Sequence, residues 1–196
     1  MTYTAKTFNL PELAGLSPKQ IDVHLKLYAG YVTNLNLLHD QIAELEKIGK
    51  AKYAYALSEL RRRLAFEFDG MRMHEYYFEQ FEGPKGGDPK SVLALAAAAK
   101  YGSGENFLAH IKTISMTRGI GWVVVYYDSV GKTLHTIFVG DHELGQFAGL
   151  PIILAIDMWE HAYMVDYAPA EKAKYVDAVF ANLNWSVPEQ RMAKIK

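Results

Sequence analysis

The period of the hydrophobic pattern changes from helical to strand-like at Gly121, and that change limits the folds open to this chain. Upstream, apolar residues recur every three or four positions. Leu16-Ser17-Pro18-Lys19 reads as a helix start, with Ser17 at the N-cap and Pro18 at the first helical position. Ile21, His24, Leu27, Tyr28, Tyr31, Leu35, Leu38, Ile42 and Leu45 mark one face of a long amphipathic helix, which Lys47-Ile-Gly-Lys50 ends. A second helical pattern runs from about Lys52 to Phe81, with an interruption expected near Asp69-Gly70. Together they predict a helical hairpin.

Glu82-Gly-Pro-Lys-Gly-Gly-Asp-Pro89 holds three Gly and two Pro in eight residues. It divides the chain into an N-terminal α-hairpin domain, 1–86, and a C-terminal α/β domain, 87–196. Two helices are expected in the second part, at about Pro89–Tyr101 and Glu105–Thr117. Gly121–Tyr127 and Thr133–Val139 are then β-branched and aromatic, and Asp128-Ser-Val-Gly-Lys132 between them reads as a hairpin loop. Leu150-Pro-Ile-Ile-Leu-Ala-Ile156 reads as a third, buried strand, and helices are expected from about Glu160 onward. The fold class is α+β: a small three-stranded antiparallel sheet covered by helices, preceded by a long α-hairpin.

Composition removes several functions. Net charge is −1 with no block of like charge, so no nucleic-acid or membrane surface is expected. No run reaches the roughly 18 to 20 apolar residues that span a bilayer. Met1–Leu10 lacks a charged segment followed by an apolar one, so a secretory signal is not expected and a cytoplasmic setting is. There is no cysteine, which excludes disulfides, thiolate ligands and a cysteine nucleophile.

The chemistry-bearing stretch is Asp157-Met-Trp-Glu-His161-Ala-Tyr163. Asp157 sits where the third strand ends, and His161 follows four residues later. On a helix these two share a face and can meet one metal ion such as manganese, iron or zinc. A carboxylate and one imidazole are too few ligands for a redox metal. Of seven histidines, His24 and His74 lie on the apolar faces of the paired helices. Such a histidine is ordinarily a satisfied core residue. Two of them on paired helices, with Asp-x-x-x-His downstream, shift the balance toward ligands and leave both readings open at this point.

The Asp157–Tyr163 string resembles the signature of the iron/manganese superoxide dismutases. Leu16–His24, Tyr31-Val-Thr-Asn-Leu-Asn36, Met73-His74-Glu-Tyr-Tyr-Phe78, Gly121-Trp122, and Asn184-Trp185 followed by Arg191 are similar to further segments of that family. The resemblance implies a metal held between two domains by His24, His74, Asp157 and His161. It implies one manganese or iron ion per subunit, with manganese or the use of either metal favoured. Two superoxide anions and two protons would become oxygen and hydrogen peroxide through alternating reduction and oxidation of the metal. Gly70 leaves vacant one of the two places where the family carries a group for metal-bound solvent, so Gly140-Asp-His142-Glu is expected to supply His142 there. Tyr31 resembles the gateway tyrosine that relays protons. Trp122 and Trp159 are expected to wall the site, Ala155 to lie close behind it, and Glu160 to cross a homodimer interface to a partner's metal histidine, with a tetramer also open. The rival reading is a catalytically silent member of the fold with a structural or interaction role; retention of all four ligands argues against it.

Three departures from the family carry expectations. His24 and Tyr31 are seven residues apart, one fewer than usual. Seven steps of about 100° fall roughly 20° short of two turns, so a plain helix still aims both side chains alike. The first helix is therefore expected to have lost a bulge and kept its site. Leu27 and Met164 stand where the family pairs a histidine with a partner's tyrosine, so that inter-subunit hydrogen-bond chain is expected to be cut short. The family's arginine near Tyr167 is missing, which leaves Lys172 or Lys174 as candidates for the charge that draws an anion in.

Overall fold

The computed structural model describes residues 2–49 and 51–195; Met1, Lys50 and Lys196 lie outside the described residues. α1 spans Pro18–Ile48. Its start follows the sequence signal: the Ser17 hydroxyl accepts a hydrogen bond from the Gln20 amide at 3.1 Å, and Pro18 occupies the first turn. The break falls at Gly49, whose φ of 147° no helix accommodates. α2 spans Ala54–Glu79 and returns antiparallel, so that His24 faces His74 near one end and Arg61 meets Glu46 near the other. The expected interruption near Asp69-Gly70 is absent: Gly70 is helical and buried.

Gly70 has a packing reason instead. α1 is α-helical throughout its length, without a bulge, and the seven-residue spacing carries the Tyr31 ring onto the α2 backbone. A Cβ built at Gly70 would stand 2.6 Å from Tyr31 Cδ1. The glycine is what lets the tyrosine ring lie where it does.

α3 (Val92–Tyr101) and α4 (Gly104–Ser115) follow. α3 begins three residues later than the sequence pattern indicates, because the Ser91 hydroxyl caps it by accepting from the Ala94 amide at 3.1 Å. The sheet comprises β1 (Gly121–Asp128), β2 (Thr133–Gly140) and β3 (Ile152–Asp157), antiparallel in the order β2-β1-β3. β1 is the middle strand, and its first six residues are buried. The register sets Trp122 of β1 opposite Asp157 of β3, so the tryptophan and the carboxylate share one sheet face. α2 and α6 pack on β3, while α3 and α4 pack on β2.

Beyond β3 the chain departs from the expected helix. Asp157 is the last strand residue, and its Oδ1 accepts from the Trp159 amide at 2.8 Å, closing a local turn that competes with helix formation. Only a 3-10 turn at Glu160–Ala162 follows. A second at Pro169–Glu171 leads into α5 (Lys172–Asn182), and α6 (Ser186–Ala193) comes last. Arg191 of α6 donates to the carbonyls of Ile153 and Tyr76 at 3.1 and 2.9 Å and meets Glu79 at 3.1 Å. It ties β3 to α2.

Alanine at a helical glycine ordinarily stabilises by about 1 kcal/mol. Here the clash with Tyr31 dominates, since overpacking costs about 1 to 3 kcal/mol. Gly70→Ala is expected to lower stability in chemical denaturation; a gain would show that the ring does not rest on this backbone.

Candidate metal centre

Four side chains from four segments meet in one place. His24 comes from α1, His74 from α2, Asp157 from the end of β3 and His161 from the 3-10 turn. One ligand atom from each lies within 4.8 Å of every other. Three imidazole nitrogens face a single oxygen, Asp157 Oδ2: His24 Nε2 at 2.9 Å, His161 Nε2 at 3.2 Å and His74 Nε2 at 3.4 Å. The first three residues are fully buried, and His161 keeps one edge near solvent. The Asp-x-x-x-His spacing thus brings both groups together through a strand end and a 3-10 turn rather than along an α-helix.

His74 reveals what the cluster is built for. Its Nδ1 lies 2.6 Å from the Gly70 carbonyl, which can only accept, so Nδ1 carries the proton. Neutral His74 therefore presents a bare lone pair at Nε2. That buried atom has no hydrogen-bond partner and faces a carboxylate oxygen. Two acceptors at this separation repel unless a cation lies between them. Three imidazoles and one carboxylate suit iron or manganese.

Two of the ligands, Asp157 and His161, are held through their backbone carbonyls. The Asp157 carbonyl accepts from Tyr175 Oη at 2.7 Å, and Tyr175 meets Tyr77 at 3.1 Å. The His161 carbonyl accepts from Gln20 Nε2 at 2.6 Å, while Gln20 Oε1 accepts from the Val165 amide. Ala155 lies two residues before Asp157, and Gln80 bonds both its amide and its carbonyl. Sequence reasoning missed Gln20, Gln80 and Tyr175. A glutamine on an apolar helix face was the available signal for the first.

His142 enters from a turn pinched by reciprocal Gly140–Leu144 backbone bonds, with Asp141 left-handed at φ 49°, a conformation aspartate tolerates. Trp122 Nε1–H donates to His142 Nδ1 at 2.9 Å. Burial, aided by His161 and Arg63, pushes the His142 pKa down to about 4 against the pull of Asp157. The neutral ring must then carry its proton on Nε2, which donates to Tyr31 Oη at 2.8 Å. Both nitrogens are taken. Tyr31 lies 5.1 Å from the His74 ring, and its own proton is free to donate elsewhere. Burial, with Asp157 and Glu67, raises the Tyr31 pKa well above its ordinary value, so the phenol stays protonated.

Trp159 stacks between His142 at 4.7 Å and His161 at 5.6 Å, and Trp122 meets His74 edge-on at 5.1 Å. Glu160 is exposed, and none of the described residues holds its carboxylate. Lys172 and Lys174 lie apart from the site: the first donates to the Thr117 carbonyl and the second to Glu171. Phe66 and Arg63, which no motif marks, stand beside His142.

A helical hairpin and a three-stranded sheet that converge three imidazoles and a carboxylate have the donor set of a mononuclear redox-metal protein. Residues 89–191 match the family model described as iron/manganese superoxide dismutases, C-terminal domain. The chain is 32% identical over 183 residues to the iron superoxide dismutase of Sulfolobus acidocaldarius, covering 91% of this chain and 86% of that protein. It is 33% identical over 159 residues to manganese superoxide dismutase 2 of Halobacterium salinarum, covering 81% and 76%. It is 33% identical over 172 residues to the manganese superoxide dismutase of Mycolicibacterium paratuberculosis, covering 87% and 81%. The chain belongs to the iron/manganese superoxide dismutase family. Iron-named and manganese-named relatives are equally similar to it, so overall identity does not select the metal.

The metal-free cluster has a pH signature. Burial holds His24 and His74 below the ordinary 6.5. Burial alone would raise Asp157, but His161 and His24 hold it far below its ordinary 3.8. In each case the unfolded chain binds more protons, so stability is lost as pH falls: first below the histidine range, then below the carboxylate range. The melting temperature of the metal-free protein is expected to drop between about pH 7 and about pH 5. A flat profile over that window would contradict the buried neutral imidazoles.

Proposed function

We propose that the chain dismutes superoxide, two anions and two protons giving oxygen and hydrogen peroxide. The observation that carries this reading is the bare, buried Nε2 of His74 aimed at the Asp157 carboxylate beside two further imidazoles. His24, His74, Asp157 and His161 would hold one iron or manganese ion, which supplies one-electron oxidation and reduction when bound. The residues around it exclude water and handle protons. Trp122, Trp159 and Phe66 wall the site with apolar surface, where electrostatic interactions are stronger than in water. His142, neutral and doubly hydrogen-bonded, fixes the Tyr31 hydroxyl. Tyr31 accepts from His142 and keeps its own proton to give, as a general acid at the mouth of the site.

The test is to strip the protein, reload it separately with manganese and with iron, and measure superoxide dismutation per bound metal. Activity from at least one loaded form, and none from the stripped protein, is expected. Full loading with no activity from either metal would overturn the reading.

A homodimer through the Glu160/His161 face belongs to the same proposal, as does a cytoplasmic setting. The edge of His161 that remains near solvent, the exposed Glu160, and the exposed apolar side chains of Leu27, Met164 and Val165 support the dimer. α1, which carries Leu27, packs against the turn that carries Glu160. A partner's Glu160 carboxylate at His161 Nδ1 would orient the ring and raise its basicity. Sedimentation is expected to show a dimer, and Glu160→Ala to raise its dissociation constant at least about tenfold. An unchanged association would remove Glu160 from the interface.

A further inference from the structure

Arg63 lies on α2 with its guanidinium carbon 3.5 Å from the centre of the Phe66 ring. Phe66 meets His142 edge-to-face at 4.5 Å, with Tyr31 at 6.1 Å and Trp159 at 6.3 Å. Phe66 is half-buried and His142 fully buried, so the phenyl ring stands between the imidazole and solvent. Arg63 caps that ring, and its side chain is 49% exposed. Its Nε donates to Glu67 Oε1 at 3.1 Å; among the described residues no group holds its two terminal nitrogens. A guanidinium on an aromatic face keeps a fixed orientation and a free edge of donors, the geometry suited to meeting an anion.

The charge reaches the gate. One phenyl ring, Phe66, separates the guanidinium from both Tyr31 and His142. Negative charge gathers at the same rim: Glu67 is buried beside Arg63, and Glu143 acts on both Arg62 and Asp69. Arg62, the neighbouring cation, is paired with Glu59. The two lysines that the sequence offers for this role are engaged elsewhere.

We infer that Arg63 is the anion-steering residue of this site, drawing superoxide across Phe66 to the Tyr31–His142 pair. The inference rests on the superoxide reading. It gives Arg63 a long-range role: it raises the local concentration of a monoanion and makes no contact with the reacting atoms. An apolar wall beneath a cation focuses its field, and salt screens it.

The experiment uses the metal-loaded full chain with Arg63→Gln, Arg63→Lys and Glu67→Gln. Two quantities are followed against ionic strength: kcat/KM for superoxide, and the affinity for azide, read from visible absorption of the oxidised metal. At low ionic strength Arg63→Gln is expected to lower kcat/KM about three- to tenfold and to weaken azide binding comparably, with kcat unchanged. Arg63→Lys should retain most of both, and Glu67→Gln should raise both. All differences should shrink toward zero near 0.5 M salt, on the order of a few Å of screening length. A normal Arg63→Gln at low salt would overturn the inference. So would a deficit that salt does not remove and Arg63→Lys does not rescue, because that outcome assigns Arg63 to holding Phe66. If the wild-type protein binds azide but does not turn over superoxide, the functional reading falls, and the azide series alone decides the role of Arg63.

Discussion

A single carboxylate oxygen organises this molecule. Asp157 Oδ2 faces imidazole nitrogens from α1, α2 and the turn after β3, segments up to 133 residues apart in sequence. A buried carboxylate is costly unless its lone pairs are occupied. Here Oδ1 is occupied by the Trp159 amide and Oδ2 by His24 and His161. The surrounding polar network keeps those partners in place. Gln20 spans the His161 carbonyl and the Val165 amide, Gln80 grips both backbone groups of Ala155, and Tyr175 holds the Asp157 carbonyl. None of these touches a ligand nitrogen. Their work is orientation, which in a metal site governs affinity nearly as much as the ligands do.

Tyr31, Gly70 and His142 are one design rather than three positions. The unbroken α1 helix sets the tyrosine ring on α2, and that placement requires glycine at 70. With no side chain available there, the partner for the Tyr31 hydroxyl has to arrive from the sheet domain. The left-handed Asp141 and the Gly140–Leu144 pinch deliver it. Trp122 then fixes the tautomer, because an indole N–H can only donate. A change at any one of these residues is therefore felt at the hydroxyl.

Much of this was legible in the sequence, and the reasons are local. Ser17-Pro18 marks a helix start by capping chemistry, and β-branched runs mark strands by their shape. The Asp-x-x-x-His string stands out because few structural roles need that combination. Its conformation was misread, since four-residue spacing satisfies a strand end plus a 3-10 turn as well as a helix. Gly70 read as a breaker because its reason is a ring contributed by another helix. The pairing of both His142 nitrogens, and the stack of Arg63 on Phe66 beside it, depend on where a distant loop lands. An arginine and a phenylalanine three apart on a helix look like any half-exposed face until that loop is in place.

The distribution of charge around the gate follows from the same arrangement. Burial keeps His142 neutral and Tyr31 protonated, so the pair carries no net charge. Asp157 lies behind it and Arg63 in front. A protein that must attract a small anion and yet let a neutral product leave gains from this order. The attraction acts at the rim, where solvent screens it over short distances, while the interior offers proton transfer without a second cation to trap the anion. On the proposed dimer, the apolar Leu27 and Met164 would offer proton delivery to Tyr31 no inter-subunit branch through those positions. On the proposed reading the hydroxyl that His142 orients would carry that traffic, which would place the heaviest demand on the 2.8 Å bond between them.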